Sequence, residues 1–208
     1  GSGVNVIPRE ARMDVDLRES SKRLRVLSRM LVQALQPNVR AISFSIGEGL
    51  GEYDNLRLKK QMRVKSVKAG GTDLGFIQED WEGGFTVLLP QTLKAGDQLE
   101  LDLDVEGDFM MDTEFCKDCH YPRSNTTWYP RHGYLDRATY ELTFRHSKKR
   151  RVASVGARLS EALDPEDKDG AISKYEMKQP VALIVFALGP FKRHNDTVKW
   201  EKGGDPTP

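Results

Sequence analysis

Neither sign of charge is in excess in this sequence: 32 Lys and Arg stand against 31 Asp and Glu among 208 residues. Phosphate binding normally needs a basic excess on one face, so there is no electrostatic case for a nucleic-acid partner. The one basic run, Lys148 to Arg151, falls between two predicted strands and reads as a solvated hairpin tip. Long apolar runs are missing too. None approaches the ~20 residues of a membrane-spanning helix, so no membrane partner is evident. The longest, Val181 to Leu188, has the length of a buried strand. There is no apolar helical stripe longer than about two turns and no internal repeat. Signal-peptide patterning is absent, and Gly1 to Gly3 reads as a cloning remnant, which leaves the native compartment open.

What the chain does contain is alternation. Charged residues at 30% and hydrophobic residues at 38% are ordinary for a soluble globular chain with a substantial core. Met13, Val15 and Leu17 interleave with polar neighbours, and Glu19 to Lys22 makes a turn. Leu24 to Leu35 is apolar on both faces and reads as a long interior strand. Ile42, Phe44 and Ile46 alternate with serines, and Phe85, Val87 and Leu89 are closed by Pro90. Leu99, Leu101, Leu103 and Val105 form the cleanest half-exposed strand, since successive side chains point to opposite sheet faces. Asp164 to Gly170 is acidic like a calcium loop, but it lacks the ligand spacing and closing Glu of an EF-hand and reads as a hairpin turn. Many short strands between turn signals predict an all-β fold, a saddle-like β-sandwich of mostly antiparallel strands.

One stretch is more specific. Trp128-Tyr129-Pro130 makes an aromatic-proline corner, a spacer follows, and Arg137 to Arg145 alternates Ala138, Tyr140, Leu142 and Phe144 against Thr139, Glu141, Thr143 and Arg145. A second strand, Val152 to Val155, ends at Gly156. Leu93-Lys-Ala-Gly-Asp-Gln-Leu99 leads into the Leu101 to Val105 strand, and Pro180 to Phe191 closes the series. In order and spelling these segments resemble the N-terminal domain of aminopeptidase-N-like zinc metallopeptidases, the gluzincin family. The altered corner, Arg131-His132-Gly133, marks a divergent branch.

The resemblance implies a β-sandwich over residues 4–195 and a linker over 196–208 toward a missing catalytic domain. It implies no catalytic residue in this chain: none of the four histidines begins H-E-x-x-H, the helical spacing that puts two imidazoles on one zinc ion. No cofactor is expected here, and zinc is expected in the missing domain. The partners implied are that catalytic domain and the peptide substrate of the parent enzyme. The family's first domain lends a Gln or Glu to the substrate-amine site from the loop before the corner, and Glu114 is the residue of that type within Asp112 to Asn125. The rival reading is a stand-alone β-sandwich module that binds peptide or carbohydrate.

The same loop holds both cysteines, in Cys116-Lys-Asp-Cys119-His120. The pattern fits a local disulfide or inert thiols, a zinc site using Cys116, Cys119 and His120 or His132, a redox pair, or c-type haem attachment. A haem or metal there would make an electron-transfer module. Asn125 to Thr127 and Asn195 to Thr197 match the glycosylation sequon, a motif too short to carry weight here.

Overall fold

The structure, a computed structural model, describes residues 5–47, 57–80 and 83–194. Gly1 to Gly3, the second sequon and the segment from 196 to 208 lie outside the described residues. Among the described residues the fold is almost wholly β, with one four-residue helical turn, α1 (Arg57–Lys60).

The first strands are β1 (Val6–Asp16), β2 (Leu24–Ala34), β3 (Val39–Ser45), β4 (Arg63–Ala69) and β5 (Thr72–Asp73). Next come β6 (Phe76–Ile77), β7 (Gly84–Leu93), β8 (Gln98–Gly107), β9 (Met110–Thr113) and β10 (Cys116–Pro122). The last five are β11 (Ala138–Ser147), β12 (Arg151–Ser154), β13 (Ala157–Leu163), β14 (Gly170–Val181) and β15 (Phe186–Gly189).

They form three sheets among the described residues: β13-β14-β11-β1-β2-β8-β4-β5, β12-β15-β10-β9 and β3-β7-β6. Each pairing is antiparallel except that of β1 with β11, where Ala11 faces Tyr140 and Val15 faces Phe144. The predicted all-β, mostly antiparallel sandwich is what the chain adopts.

The inward faces are set by period-two patterning. In β11, Ala138, Tyr140, Leu142 and Phe144 are buried while Glu141 is exposed. In β8, Leu101, Leu103 and Val105 are buried between half-exposed acids. Phe144 of the large sheet meets Phe186 of the four-stranded sheet at 5.0 Å, and Trp128 packs edge-on to Phe186 at 4.9 Å. Burying such rings, with the aliphatic side chains around them, stabilises the fold at about 25 cal/mol per Å² of apolar surface.

The outer face of the large sheet carries cross-strand ion pairs: Arg25 with Asp104 at 2.8 Å, Arg29 with Asp102 at 2.7 Å and Arg145 with Asp14 at 3.0 Å. Water screens these pairs, so each adds little to stability by itself. Their larger effect is to fix register and cover apolar sheet surface with side-chain stems.

Four expectations need correction. β2 is central in its sheet but buried on one face only; Leu27 is 44% exposed among the arginines. Its outward leucine is tolerated because Arg25 and Arg29 and their acidic partners flank it. Strand β7 does not stop at Pro90 but continues to Leu93 through a register shift, which is where a residue lacking an N–H fits. Val181 to Leu188 is not one buried strand: β14 ends at Val181, β15 begins at Phe186, and the residues between cross from one sheet to another.

The fourth correction concerns Lys148 to Arg151. It does turn the chain, with Arg150 N–H bonded to Ser147 O at 3.1 Å, but the strands it joins belong to different sheets and do not form a hairpin. Strand β13, unforeseen in the sequence, follows Gly156, whose φ of +98° and closeness to Glu176 O admit no side chain without a shift. The acidic segment Asp164 to Gly170 is a hairpin turn joining β13 to β14, closed by Gly170 N–H to Asp167 O at 2.9 Å.

Candidate functional site

The sheet crossover after β14 exposes backbone groups that no strand partner can satisfy, and the aromatic corner satisfies them. Trp128 Nε1–H donates to Ile184 O at 2.9 Å, and Ile184 N–H donates to the Tyr129 hydroxyl at 3.1 Å. Both rings are fully buried. Burial raises the Tyr129 hydroxyl pKa, so it stays neutral and available as an acceptor.

Arg131, in the position where the corner departs from the family spelling, is buried as well. Its guanidinium donates to Thr126 O at 3.0 Å, Tyr134 O at 3.1 Å and Ala182 O at 2.9 Å. One planar fork thereby ties the loop on either side of the corner to the crossover. His132 is held by Asp136, Nδ1 to Oδ2 at 2.8 Å, and packs edge-on to Phe44. The sequence marked Trp128 to Pro130 as a signature. It gave no sign of the Arg131 clamp, because its three acceptors are main-chain carbonyls.

Just before the corner, β9 and β10 form a hairpin. Thr113 Oγ1 accepts from the N–H groups of Phe115 and Cys116, both at 3.1 Å, which shapes the tip. Glu114 lies in that tip and is exposed; Phe115 beside it is 98% exposed. Cys116 and Cys119 are joined as a disulfide with Cα atoms 5.4 Å apart, spanning a register shift in which Asp118 takes φ of +63°. His120 is buried and turns to Asp112 on β9, Nδ1 to Oδ1 at 2.7 Å.

The hairpin therefore unites the sequence candidates Glu114, Cys116, Cys119 and His120, but in separate roles. The sulfurs bond to each other, the imidazole pairs with a carboxylate across the ladder, and the glutamate faces outward. His132 is engaged with Asp136 rather than with the cysteines. Among the described residues there is no group of three or more His, Cys, Asp or Glu placed to hold a metal ion. Chemically, the tip offers a carboxylate acceptor next to an aromatic surface on a cross-linked support.

No protein-family model and no curated protein sequence matches this chain. The fold does match solved structures. The M1 zinc metallopeptidase from Deinococcus radiodurans superposes with a TM-score of 0.71 at 15% identity, over 90% of this chain and 43% of that one. A two-domain M1 zinc metallopeptidase variant bound to L-arginine gives 0.68 at 15% identity, over 89% and 42%. A Deinococcus radiodurans variant bound to a Tyr-Ser-Ala substrate gives 0.69 at 14%, over 89% and 42%. The resemblance read from the motifs is thus met at the level of fold: the chain has the fold of the N-terminal domain of an aminopeptidase-N-like protein. It spans less than half the length of the structures it matches.

Proposed function

We propose that this chain is the non-catalytic N-terminal domain of a metallo-aminopeptidase-like protein, packing on a zinc peptidase domain and bordering its active-site cleft. The observation that carries the reading is the fold match over nine-tenths of this chain and under half of two-domain zinc peptidases. Zinc would belong to the second domain, and peptide would be the substrate of the whole. Within this chain, Glu114 would accept hydrogen bonds from the substrate ammonium, a role suited to an exposed carboxylate on a braced tip.

The test is the polypeptide that follows Pro208. A downstream H-E-x-x-H with a later Glu ligand, and aminopeptidase activity of that longer protein with none in the 208-residue chain, are expected. Metal-dependent hydrolysis of aminoacyl substrates by the 208-residue chain alone would sink the non-catalytic reading.

The rival, a free-standing module for peptide or carbohydrate, draws on the cavity of about 500 Å³ on the outer face of the large sheet, lined by residues such as Arg12, Asp14 and Glu141. Its polar groups pair with one another, Arg12 with Glu141 at 3.2 Å, which favours a solvated face over a ligand site.

A further inference from the structure

The β9–β10 ladder slips at one place, and both cysteines are there. Asp112 and Thr113 are neighbours on β9, yet they face His120 and Cys116 on β10. Lys117, Asp118 and Cys119 are therefore looped out of the pairing, with Asp118 at a positive φ that few non-glycine residues adopt. Across this loop-out runs the Cys116–Cys119 bond, its Cα atoms 5.4 Å apart. The bond braces a segment that has no partner on β9.

The two sulfurs differ in access. Cys119 is 4% exposed, and its Sγ packs over Gly189 of β15 so closely that a Cβ there would lie 2.9 Å away. Cys116 is only half-buried, at the tip beside exposed Phe115. Disulfide exchange begins with a thiolate attacking one sulfur, so access decides which sulfur that is. Here it is Cys116, and the leaving sulfur is Cys119. His120, next in the chain and also buried, donates from Nδ1 to the Asp112 carboxylate and keeps Nε2 as an acceptor without a donor among the described residues. The buried side of the hairpin thus has an acceptor to spare when Cys119 gains an S–H.

Loop size sets how firmly the fold holds the bond. A disulfide across a two-residue spacer removes little freedom from the unfolded chain, so it adds little to the stability of the fold. By the same thermodynamic cycle, a fold that gains little from the bond protects it little from reduction.

We propose that Cys116 and Cys119 form a reversible thiol–disulfide exchange site whose co-reactant is a dithiol. One thiolate of the dithiol attacks Cys116 Sγ. The Cys116–Cys119 bond breaks, and Cys119 Sγ leaves with the electron pair and takes a proton from water. The second thiolate of the co-reactant then attacks the co-reactant sulfur bonded to Cys116, which leaves as a thiolate and is protonated in turn. Two electrons pass to the cysteine pair, and the co-reactant ends as a disulfide. A monothiol is expelled at the mixed-disulfide stage, because Cys119, tethered by two residues, attacks back. Reduction releases Lys117 to Cys119 and loosens the tip that carries Glu114. Any effect of that loosening on a substrate amine rests on the functional reading above; the exchange itself does not.

The experiment treats the oxidised 208-residue chain with about a tenfold excess of dithiothreitol in native buffer. Intact mass after alkylation counts the thiols, and amide-resolved NMR follows the fold. Complete reduction without denaturant is expected, with shifts confined to residues 110–122 and 186–191. Amide exchange from 112 to 120 should quicken about tenfold or more, and reoxidation in air should restore the first spectrum. Single variants read the polarity: with an aromatic disulfide reagent, the Cys119→Ser chain should react about tenfold or more faster than the Cys116→Ser chain. Reduction only in denaturant, unchanged exchange from 112 to 120, or collapse of the whole spectrum on reduction would overturn the proposal. Equal reactivity of the two variants would overturn Cys116 as the attacked sulfur. A missing downstream zinc motif ends the peptidase-domain reading without touching the exchange, and failure of the exchange leaves that reading standing.

Discussion

Trp128 and Ile184 are 56 residues apart in the chain and share one buried hydrogen bond, indole Nε1–H to carbonyl O at 2.9 Å. The bond sits where the chain leaves one sheet for another and can find no strand partner. Trp128→Phe keeps an aromatic ring against Phe186 but leaves the Ile184 carbonyl unpaired. A loss of about 1–3 kcal/mol is expected, the cost of a buried unsatisfied polar group. Urea unfolding should show a lower midpoint at unchanged slope; an unshifted midpoint would mean water replaces the donor at no cost.

Arg131 should be harder to replace. Its fork serves three carbonyls from separate segments, and Arg131→Met would orphan all of them, for roughly 2–4 kcal/mol given non-additivity. Arg131→Lys should rescue little, because a single ammonium cannot span the fork. Faster amide exchange over 182 to 185 would locate the damage. Uniform acceleration across the sheets would argue against a clamp.

Buried His146 makes stability depend on pH. Its Nδ1 lies 2.9 Å from the Ser147 carbonyl, which can only accept, so Nδ1 carries the proton and Nε2 accepts from Ser173 Oγ at 2.8 Å. Burial holds its pKa below the ordinary 6.5. The unfolded ring therefore binds a proton at higher pH than the folded one. The contribution is complete above the unfolded value and is lost as pH falls from there through the folded value. Comparing unfolding midpoints at about pH 7.5 and 5.5, His146→Asn should lose less stability on acidification than the parent. Equal losses would assign the pH dependence to other groups.

The Cys116–Cys119 disulfide closes a loop with a two-residue spacer, so its global effect should be well below the ~3 kcal/mol of a 15-residue loop. Cys116→Ser with Cys119→Ser should leave the unfolding midpoint nearly unchanged while amide exchange quickens between 112 and 120. A large drop in midpoint would show that the hairpin supports the core.

Strands whose two faces differ were legible from sequence. Ala138 to Arg145 and Leu99 to Val105 alternate cleanly because one face meets the core and the other meets water. Leu24 to Leu35 misled because outward Leu27 breaks the alternation, and only the ion pairs beside it show that this face is solvated. Val181 to Leu188 misled for another reason: apolarity signals burial, not continuity, and the break is stabilised by side chains more than 50 residues away. Within the candidate site, the hairpin position of Glu114 and the two cysteines could be read locally. The burial of Cys119 against Gly189 could not, since a strand far along the chain creates it.

The parallel contact between β1 and β11 has a consequence for synthesis. Asp14 and Arg145, which bridge those strands, are 131 residues apart. β1 can zip onto β2 early, but its other edge stays bare until most of the chain has emerged. During translation that edge is an adhesive template, and shortened products ending before β11 should aggregate rather than fold. Long-range closure of this kind also predicts slow folding for the chain's size. The two sides of one strand are therefore separated in time as well as in sequence.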